Sequence, residues 1–204
     1  MKTQTLAVQQ RLLIVISGPA GVGKDSVVRR LQQRNAQLHF VVTTTTRARR
    51  SSEVEGVDYN FCAMAEFARM IDASELLEYA VVYGEYKGVP KQQVHAALAS
   101  GKDVVMRLDV QGAARIKQLQ PGAVLIFLTV ESEQELERRL VGRQTETEDK
   151  QRMRLAMARQ ELLRVPEFDY CVPNDDKDLD RAVAVIEAIL VAERHKVNRP
   201  AISL

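Results

Sequence analysis

The segment Gly18-Pro19-Ala20-Gly21-Val22-Gly23-Lys24 carries the spacing G-x-x-x-x-G-K. Glycines let the backbone curl until several N–H groups face inward, where they hydrogen-bond phosphate oxygens. Lys24 adds a compact cation for the β- and γ-phosphates of a nucleotide. The apolar run Leu12–Ile16 precedes this loop, and Val27, Val28 and Leu31 follow at helical spacing. A helix N-terminus therefore contributes further positive potential at the same place. Gly18 through Lys24, with Asp25 and Ser26, form a candidate ATP-binding loop. Such a loop alone implies nucleotide binding and does not separate phosphoryl transfer from hydrolysis. One position departs from the pattern, because Asp25 stands where Ser or Thr ordinarily follows the lysine to ligate Mg²⁺. Two readings of it stand side by side. Asp25 could meet Mg²⁺ through water while Ser26 bonds the α-phosphate, or it could simply favour the first helical turn.

A second set of residues suits a phosphorylated acceptor. Arg47 and Arg50, three apart in a polar stretch, can present two guanidinium forks to one phosphate monoester. Taken alone they also fit a solvated charge cluster. No nucleophile-and-base arrangement is visible, and His39, His95 and His195 have no metal-ligand spacing. Transfer to a phosphate monoester needs neither. Its second pKa is about 6, so the attacking oxygen is already largely deprotonated at neutral pH. Alignment and charge neutralisation then carry the catalysis.

The elements that must hold these groups follow from periodicity. Leu12–Ile16, Val104–Leu108 and Ala123–Val130 read as buried strands, with helices over Gln111–Gln118, about Lys150–Leu163 and Asp180–Glu193 between or after them. Ser132-Glu133-Gln134-Glu135 is a capping box opening another helix. Met64–Met70 is helical in pattern, Leu76–Tyr83 and Tyr86–Val89 extended, and Pro90 suits the first position of a helix through Leu98. Asp169–Val172 is placed as a last strand. This alternation predicts an α/β fold with a parallel sheet flanked by helices. The stretch 39–90 breaks the rhythm and reads as an inserted lobe, and 142–150, polar and charged, as a mobile flap.

Composition narrows the class. A chain of 204 residues with 46% hydrophobic and 27% charged residues suits one α/β core with insertions. A net charge of +2, five Phe, five Tyr and no Trp give little basis for nucleic-acid binding. Cys62 and Cys171 make no C-x-x-C pair, which suits a reducing compartment. No run approaches the ~20 apolar residues of a membrane span. The protein is expected in the cytoplasm, as a monomer or homodimer.

The stretch Thr43-Thr44-Thr45-Thr46-Arg47-Ala48-Arg49-Arg50, followed by Glu55-Gly56-Val57-Asp58-Tyr59-Asn60-Phe61, resembles the guanylate kinase family. The resemblance continues through Leu77–Ala80, Leu108–Gly112, Gly142–Glu148 and Val172–Asp176, covering about residues 12 to 193. It implies a P-loop parallel sheet flanked by helices, with core segments at about 1–38, 91–131 and 163–204. A GMP-binding lobe at about 39–90 and a mobile lid at about 132–162 complete the single domain. The implied activity is transfer of the γ-phosphoryl of ATP to GMP, and to dGMP, with Mg²⁺ as cofactor. The resemblance implies GMP contacts at Thr43, Arg47, Arg50, Tyr59, Glu78, Lys87 and Asp109. Glu78 fits base reading, since a carboxylate can accept from adjacent guanine N1–H and N2–H₂ donors that adenine lacks. Lys87 replaces a more usual phosphate-contacting tyrosine, and Val89 a base-contacting hydroxyl. Lys24, Arg47, Arg139, Arg143 and Arg154 are the implied catalytic cations, Asn174 a contact to the adenine end of ATP. Asp109, with Ser26 and Asp25, is expected to hold Mg²⁺ directly or through water. Arg107 stands where a second acid is common, so the metal support expected from it is missing. Alternative readings are a protein-binding module without catalysis, or a related kinase with another phosphorylated acceptor.

Overall fold

The computed structural model describes residues 11–82, 84–141 and 148–202. A five-stranded sheet forms the centre, in the order β2 (Leu38–Phe40), β7 (Asp103–Arg107), β1 (Leu13–Ser17), β8 (Val124–Thr129) and β9 (Tyr170–Pro173). Its neighbouring strands all run parallel. Parallel neighbours need long crossovers. The crossovers and flanks contain α1 (Lys24–Arg34), α3 (Lys91–Ala99), α4 (Val110–Leu119), α5 (Glu133–Val141), α6 (Glu148–Leu162) and α7 (Leu179–Arg194).

Side chains of a strand alternate between its two faces, and β1 shows what that does to the core. Leu12, Ile14 and Ile16 pack with Val27 and Leu31 of α1, Leu136 and Leu140 of α5, and Val183 and Ile186 of α7. Leu13 and Val15 face the other way, onto Val94 and Ala97 of α3 and Ala113 and Ile116 of α4. The run Leu12–Ile16, apolar at every position, is thus buried on both sides, as its unbroken series of branched residues implies.

Residues between Thr44 and Pro90 build a second sheet, ordered β4 (Asn60–Phe61), β3 (Thr44–Thr45), β6 (Glu85–Pro90) and β5 (Leu76–Val82). The pairs β3–β6 and β5–β6 are antiparallel, whereas β3–β4 is parallel. Helix α2 (Met64–Asp72) closes this unit, with Phe67 and Met70 packed on Leu76.

Three local expectations need correction. Pro90 ends β6 opposite Leu76 and precedes α3, which starts at Lys91. β6 is an inner strand, and Pro90 is accommodated as its last residue, beside the irregularity between Leu76 and Glu78. Glu148–Lys150, expected in a flap, already belong to α6; residues 142–147, Arg143 included, lie outside the described residues. Ser132 provides half of a capping box, its Oγ accepting from Glu135 N at 3.2 Å. Among the described residues no helix is long and apolar enough to cross a membrane.

Asp103, at the start of β7, is buried. It accepts from Leu12 N at 2.8 Å and from Arg194 at 2.8 and 2.6 Å, tying β1 and the end of α7 to one carboxylate. Asp103→Ala would leave a buried N–H and a half-buried guanidinium without their acceptor. Urea unfolding should show a loss of about 2–4 kcal/mol, whereas Asp180→Ala, which breaks only exposed pairs, should leave the urea midpoint nearly unchanged.

Candidate active site

The turn between β1 and α1 is shaped by what surrounds it. Gly18 has φ +137°, and a Cβ there would lie 2.3 Å from the Leu128 carbonyl oxygen of β8. Gly23, at φ +87°, faces the Asn174 amide nitrogen, which a Cβ would approach to 2.5 Å. Only glycine satisfies both the left-handed backbone and the closeness of these neighbours. Lys24 Nζ donates to the Gly18 and Pro19 carbonyls at 2.6 and 3.0 Å, folding the side chain back over the loop. Burial lowers the Lys24 pKa to about 8, with the Glu161 carboxylate opposing that effect.

Two expected ligand contacts sit behind this loop. Asn174 is buried, and its amide donates to the Val22 carbonyl at 2.7 Å. Arg139, 8% exposed, donates to the Asn174 carbonyl at 2.7 Å and to Val22 O at 3.4 Å. It also pairs with Glu135 and with Asp176. Both residues therefore brace the back of the phosphate loop. Asn174 Oδ1 is left without a hydrogen-bond partner among the described residues.

In front of the loop lies a cavity of about 570 Å³. Lys24, Asp25 and Ser26 line its α1 end, and Thr43, Arg47, Arg50, Tyr59, Glu78 and Lys87 line the side formed by the second sheet. Asp109 borders it at the end of the central sheet, and Arg154 of α6 also lines it. The expected donor and acceptor residues thus share one space, except for Gly18, Pro19 and Val22 of the loop, Arg139 and Asn174 just described, and Arg143, which lies outside the described residues.

The second sheet sets the acceptor end. Arg47 grips Glu53 with both η nitrogens, at 2.7 and 2.9 Å, and its guanidinium lies 5.1 Å from the Tyr59 ring centroid. The Arg50 backbone N–H also donates to Glu53, at 2.8 Å. Burial raises the Glu53 carboxyl, but its bonds to Arg47 and Arg50 outweigh that and hold it below the usual range. Lys87 Nζ stands 5.9 Å from the Tyr59 ring centroid, and burial pulls its pKa down. Val89 is fully buried in the core beside α3 and α4, so its side chain offers no contact to a ligand. Thr43 is buried, with Oγ1 3.5 Å from the Arg107 carbonyl.

Glu78 is 6% exposed and faces α4. A Cβ on Gly112 would come within 2.8 Å of Glu78 Oε2, so this glycine makes room for the carboxyl. Burial, and next the Asp109 charge, push the Glu78 pKa up to about 8. Asp109 itself caps α4, accepting from Gln111 N at 2.8 Å and Gly112 N at 3.1 Å.

Three features escaped the sequence. Glu53 fills the Arg47 fork, where its position three residues after Arg50 was the available signal. Glu161 of α6 reaches the phosphate loop and accepts from Ala20 N at 3.3 Å. Arg107 and Asp25, separately odd in sequence, form an ion pair at 2.7 Å. Nothing in one sequence could pair residues 82 positions apart.

A glycine-rich phosphate loop facing a second cluster of arginines across one cavity defines a P-loop nucleotide-binding phosphotransferase. Comparison with known proteins narrows that class. The guanylate kinase family model matches residues 10–193. The chain is 50% identical over 196 residues to guanylate kinase 2, chloroplastic/mitochondrial, of Oryza sativa subsp. japonica, covering 96% of this chain and 69% of that protein. It is 43% identical to the guanylate kinase of Halalkalibacterium halodurans, covering 94% and 93%. The crystal structure of guanylate kinase from Anaplasma phagocytophilum superposes with a TM-score of 0.77 at 29% identity, covering 94% and 90%. The chain belongs to the guanylate kinase family.

Two predictions come from these carboxylates. Glu78 keeps its proton in the folded chain up to about pH 8, against an ordinary 4.5, so the folded state binds the extra proton. Stability should be flat below the lower value, fall as pH rises between the two, and level off above. Urea midpoints across that range should decline less for Glu78→Gln than for the wild type. Glu161 places negative charge at the Ala20 N–H of the loop, so Glu161→Gln should tighten inorganic pyrophosphate binding by roughly 3- to 10-fold in calorimetry.

Proposed function

We propose that this protein transfers the γ-phosphoryl group of ATP to the phosphate of GMP, releasing ADP and GDP. The observation that carries this reading is the single cavity in which the phosphate loop faces Arg47, Arg50, Tyr59 and Glu78. The loop N–H groups and Lys24 bind the β- and γ-phosphates, and Ser26 lies within reach of the α-phosphate. Arg47 and Arg50 bind the GMP phosphate, Tyr59 adds its hydroxyl, and Lys87 contributes a point charge. To do so Arg47 exchanges its internal carboxylate, Glu53, for the substrate phosphate, an exchange of like partners in similar geometry.

Glu78 reads guanine. In its buried setting an unpaired anion is unfavourable, so the empty site keeps the proton near neutral pH. Adjacent N1–H and N2–H₂ donors stabilise the carboxylate, and binding therefore expels that proton. Adenine offers an acceptor at N1 and no such donor pair. With Val89 buried in the core, the selection of guanine rests on Glu78 and Thr43.

Chemistry then needs in-line alignment and neutralisation of charge on the transferring group. Lys24 and Arg154, which both line the cavity, supply cations to it, and Arg143 is assigned a similar role. Arg139 and Asn174 act one step removed, by fixing the loop at Val22.

The residues fit Mg²⁺ carried by the nucleotide. Among the described residues no group of three His, Cys, Asp or Glu side chains could cage a metal by itself, and Mg²⁺ ordinarily keeps waters and substrate phosphates as ligands. Ser26 and Asp109 are the hard oxygen donors facing that region, with Asp25 reachable only through water while it is paired to Arg107. The ion supplies charge neutralisation to the β- and γ-phosphates when bound. The free thiols of Cys62 and Cys171 suit a reducing cytoplasm, where we place the reaction.

Purified protein with ATP and Mg²⁺ should release ADP in the presence of GMP, and not with AMP, UMP or a sugar phosphate. Glu78→Ala should lower kcat/KM for GMP by about 10²-fold or more, since it removes both acceptor bonds to the base. ATP affinity should stay within about threefold, because Glu78 lies in the acceptor part. Turnover confined to a sugar phosphate, or equal losses on both substrates, would overturn the reading.

A further inference from the structure

Arg107, the last residue of β7, touches both halves of the cavity. Its side chain is only 10% exposed. One η nitrogen donates to Asp25 Oδ1 at 2.7 Å, in the first turn of α1 directly after Lys24. The other donates to the Asp58 backbone carbonyl. The face of the guanidinium lies 4.3 Å from the Tyr59 ring centroid, a stacking distance. A second arginine of α1 reinforces the same link: Arg29 binds Asp58 Oδ1 through Nε at 3.1 Å and Nη2 at 2.7 Å. Asp58 Oδ2 in turn accepts from Val54 N at 2.9 Å, which fixes the turn leading to Tyr59.

Resting on the acceptor assignment above, we propose that the Arg107–Asp25 pair is a positioning strut. It sets the spacing between the phosphate loop and the residues that hold the acceptor phosphate. The chemistry of the side chain supports this. A planar fork can direct one N–H to each partner while its face packs on an aromatic ring, which a lysine cannot do. The contacts to Asp25 and the Asp58 carbonyl engage both η nitrogens and the Tyr59 ring lies against the guanidinium, while the buried Nε has no partner among the described residues, so we assign Arg107 a positioning role exerted through these neighbours. Asp25 neutralises it in place; burial raises the Asp25 carboxyl, but Arg107 together with Lys24, Lys87 and Arg50 holds it below its usual range. Phosphoryl transfer that relies on alignment is sensitive to this spacing: a displacement of about 1 Å can cost about 10²-fold in rate.

Steady-state kinetics on Arg107→Met, Arg107→Lys, Asp25→Asn and the double variant Asp25→Asn/Arg107→Met test the strut. Each single change should lower kcat about 10- to 100-fold, while KM for ATP moves less than about threefold. The double variant should be no worse than Arg107→Met by more than about twofold, because the two residues act as one unit. Arg107→Lys should recover little, and the Mg²⁺ concentration dependence should match the wild type. Arg30→Met, which removes exposed contacts to Asp180 and Gln33, should keep basal activity. If Arg107→Met fails to fold, Asp25→Asn carries the test, since that side chain lies at the cavity wall. A lowered melting temperature with kcat unchanged would overturn the strut, as would full recovery of Asp25→Asn by added Mg²⁺, which would assign Asp25 to the metal. Wild-type protein inert toward GMP would instead overturn the acceptor assignment on which the strut rests.

Discussion

Like charges facing one cavity dictate much of this structure. Lys24, Arg47, Arg50, Lys87, Arg107 and Arg154 all line the space between the two sheets. Cations crowded in a partly buried cleft repel one another and lose hydration, and burial is the main influence lowering both Lys24 and Lys87. The chain answers with carboxylates of its own. Glu53 fills the Arg47 fork, Asp25 takes one arm of Arg107, and Glu161 sits on an N–H of the phosphate loop. Each occupies a place where an anion is wanted. On the proposed reading a substrate phosphate enters by exchange with Glu53, while Asp25 stays on Arg107, and no stage requires bare positive charges to be held together.

The sheets put those charges in reach of each other. In parallel α/β sheets, ligands gather at the carboxyl ends of the strands. Here β1 delivers the phosphate loop to that edge, and the neighbouring β7 delivers Arg107 and then Asp109. The second sheet contributes through strand alternation. Glu78 pairs with Val89, and Ala80 with Lys87, so Glu78 and Lys87 share one face of the β5–β6 ladder. That face meets α4 at Gly112, where the missing side chain leaves space for the Glu78 carboxyl. A protonatable carboxyl is thus held in a dry corner by the same glycine that opens the first turn of a helix.

What the sequence made legible was mostly local. The unbroken apolar run at Leu12–Ile16, the glycines at 18 and 23 and the helical period of Val27, Val28 and Leu31 signal strand, loop and helix in order, and the structure follows them. Arg47, Arg50, Tyr59 and Glu78, grouped through their order along the chain, line one cavity. Tertiary partners were hidden. Asn174 resembles a ligand contact in sequence, yet its amide is spent on Val22 O, because Gly23 leaves a gap that the amide fills. Arg139 likewise bonds backbone behind the loop, since α5 places it against Asn174 and not toward the cavity. A periodicity argument says which face of a helix is polar. It does not say whether a polar residue on that face meets ligand, backbone or another side chain.

The same limit explains why Asp25 and Arg107 read as two defects. Considered singly, Asp25 displaces a hydroxyl that ordinarily ligates metal, and Arg107 removes a carboxylate from the end of β7. Either change alone would be unfavourable. An unpaired Asp25 would add negative charge beside a triphosphate, and an unpaired Arg107, 10% exposed, would be a buried cation without a counter-ion. Together they cancel. The carboxylate is directed onto the guanidinium, and the guanidinium is anchored by the Asp58 carbonyl and the Tyr59 ring. The two residues therefore form one physical unit. Its second consequence is geometric, because a contact that neutralises charge across the cleft also joins the donor loop to the turn that carries Tyr59.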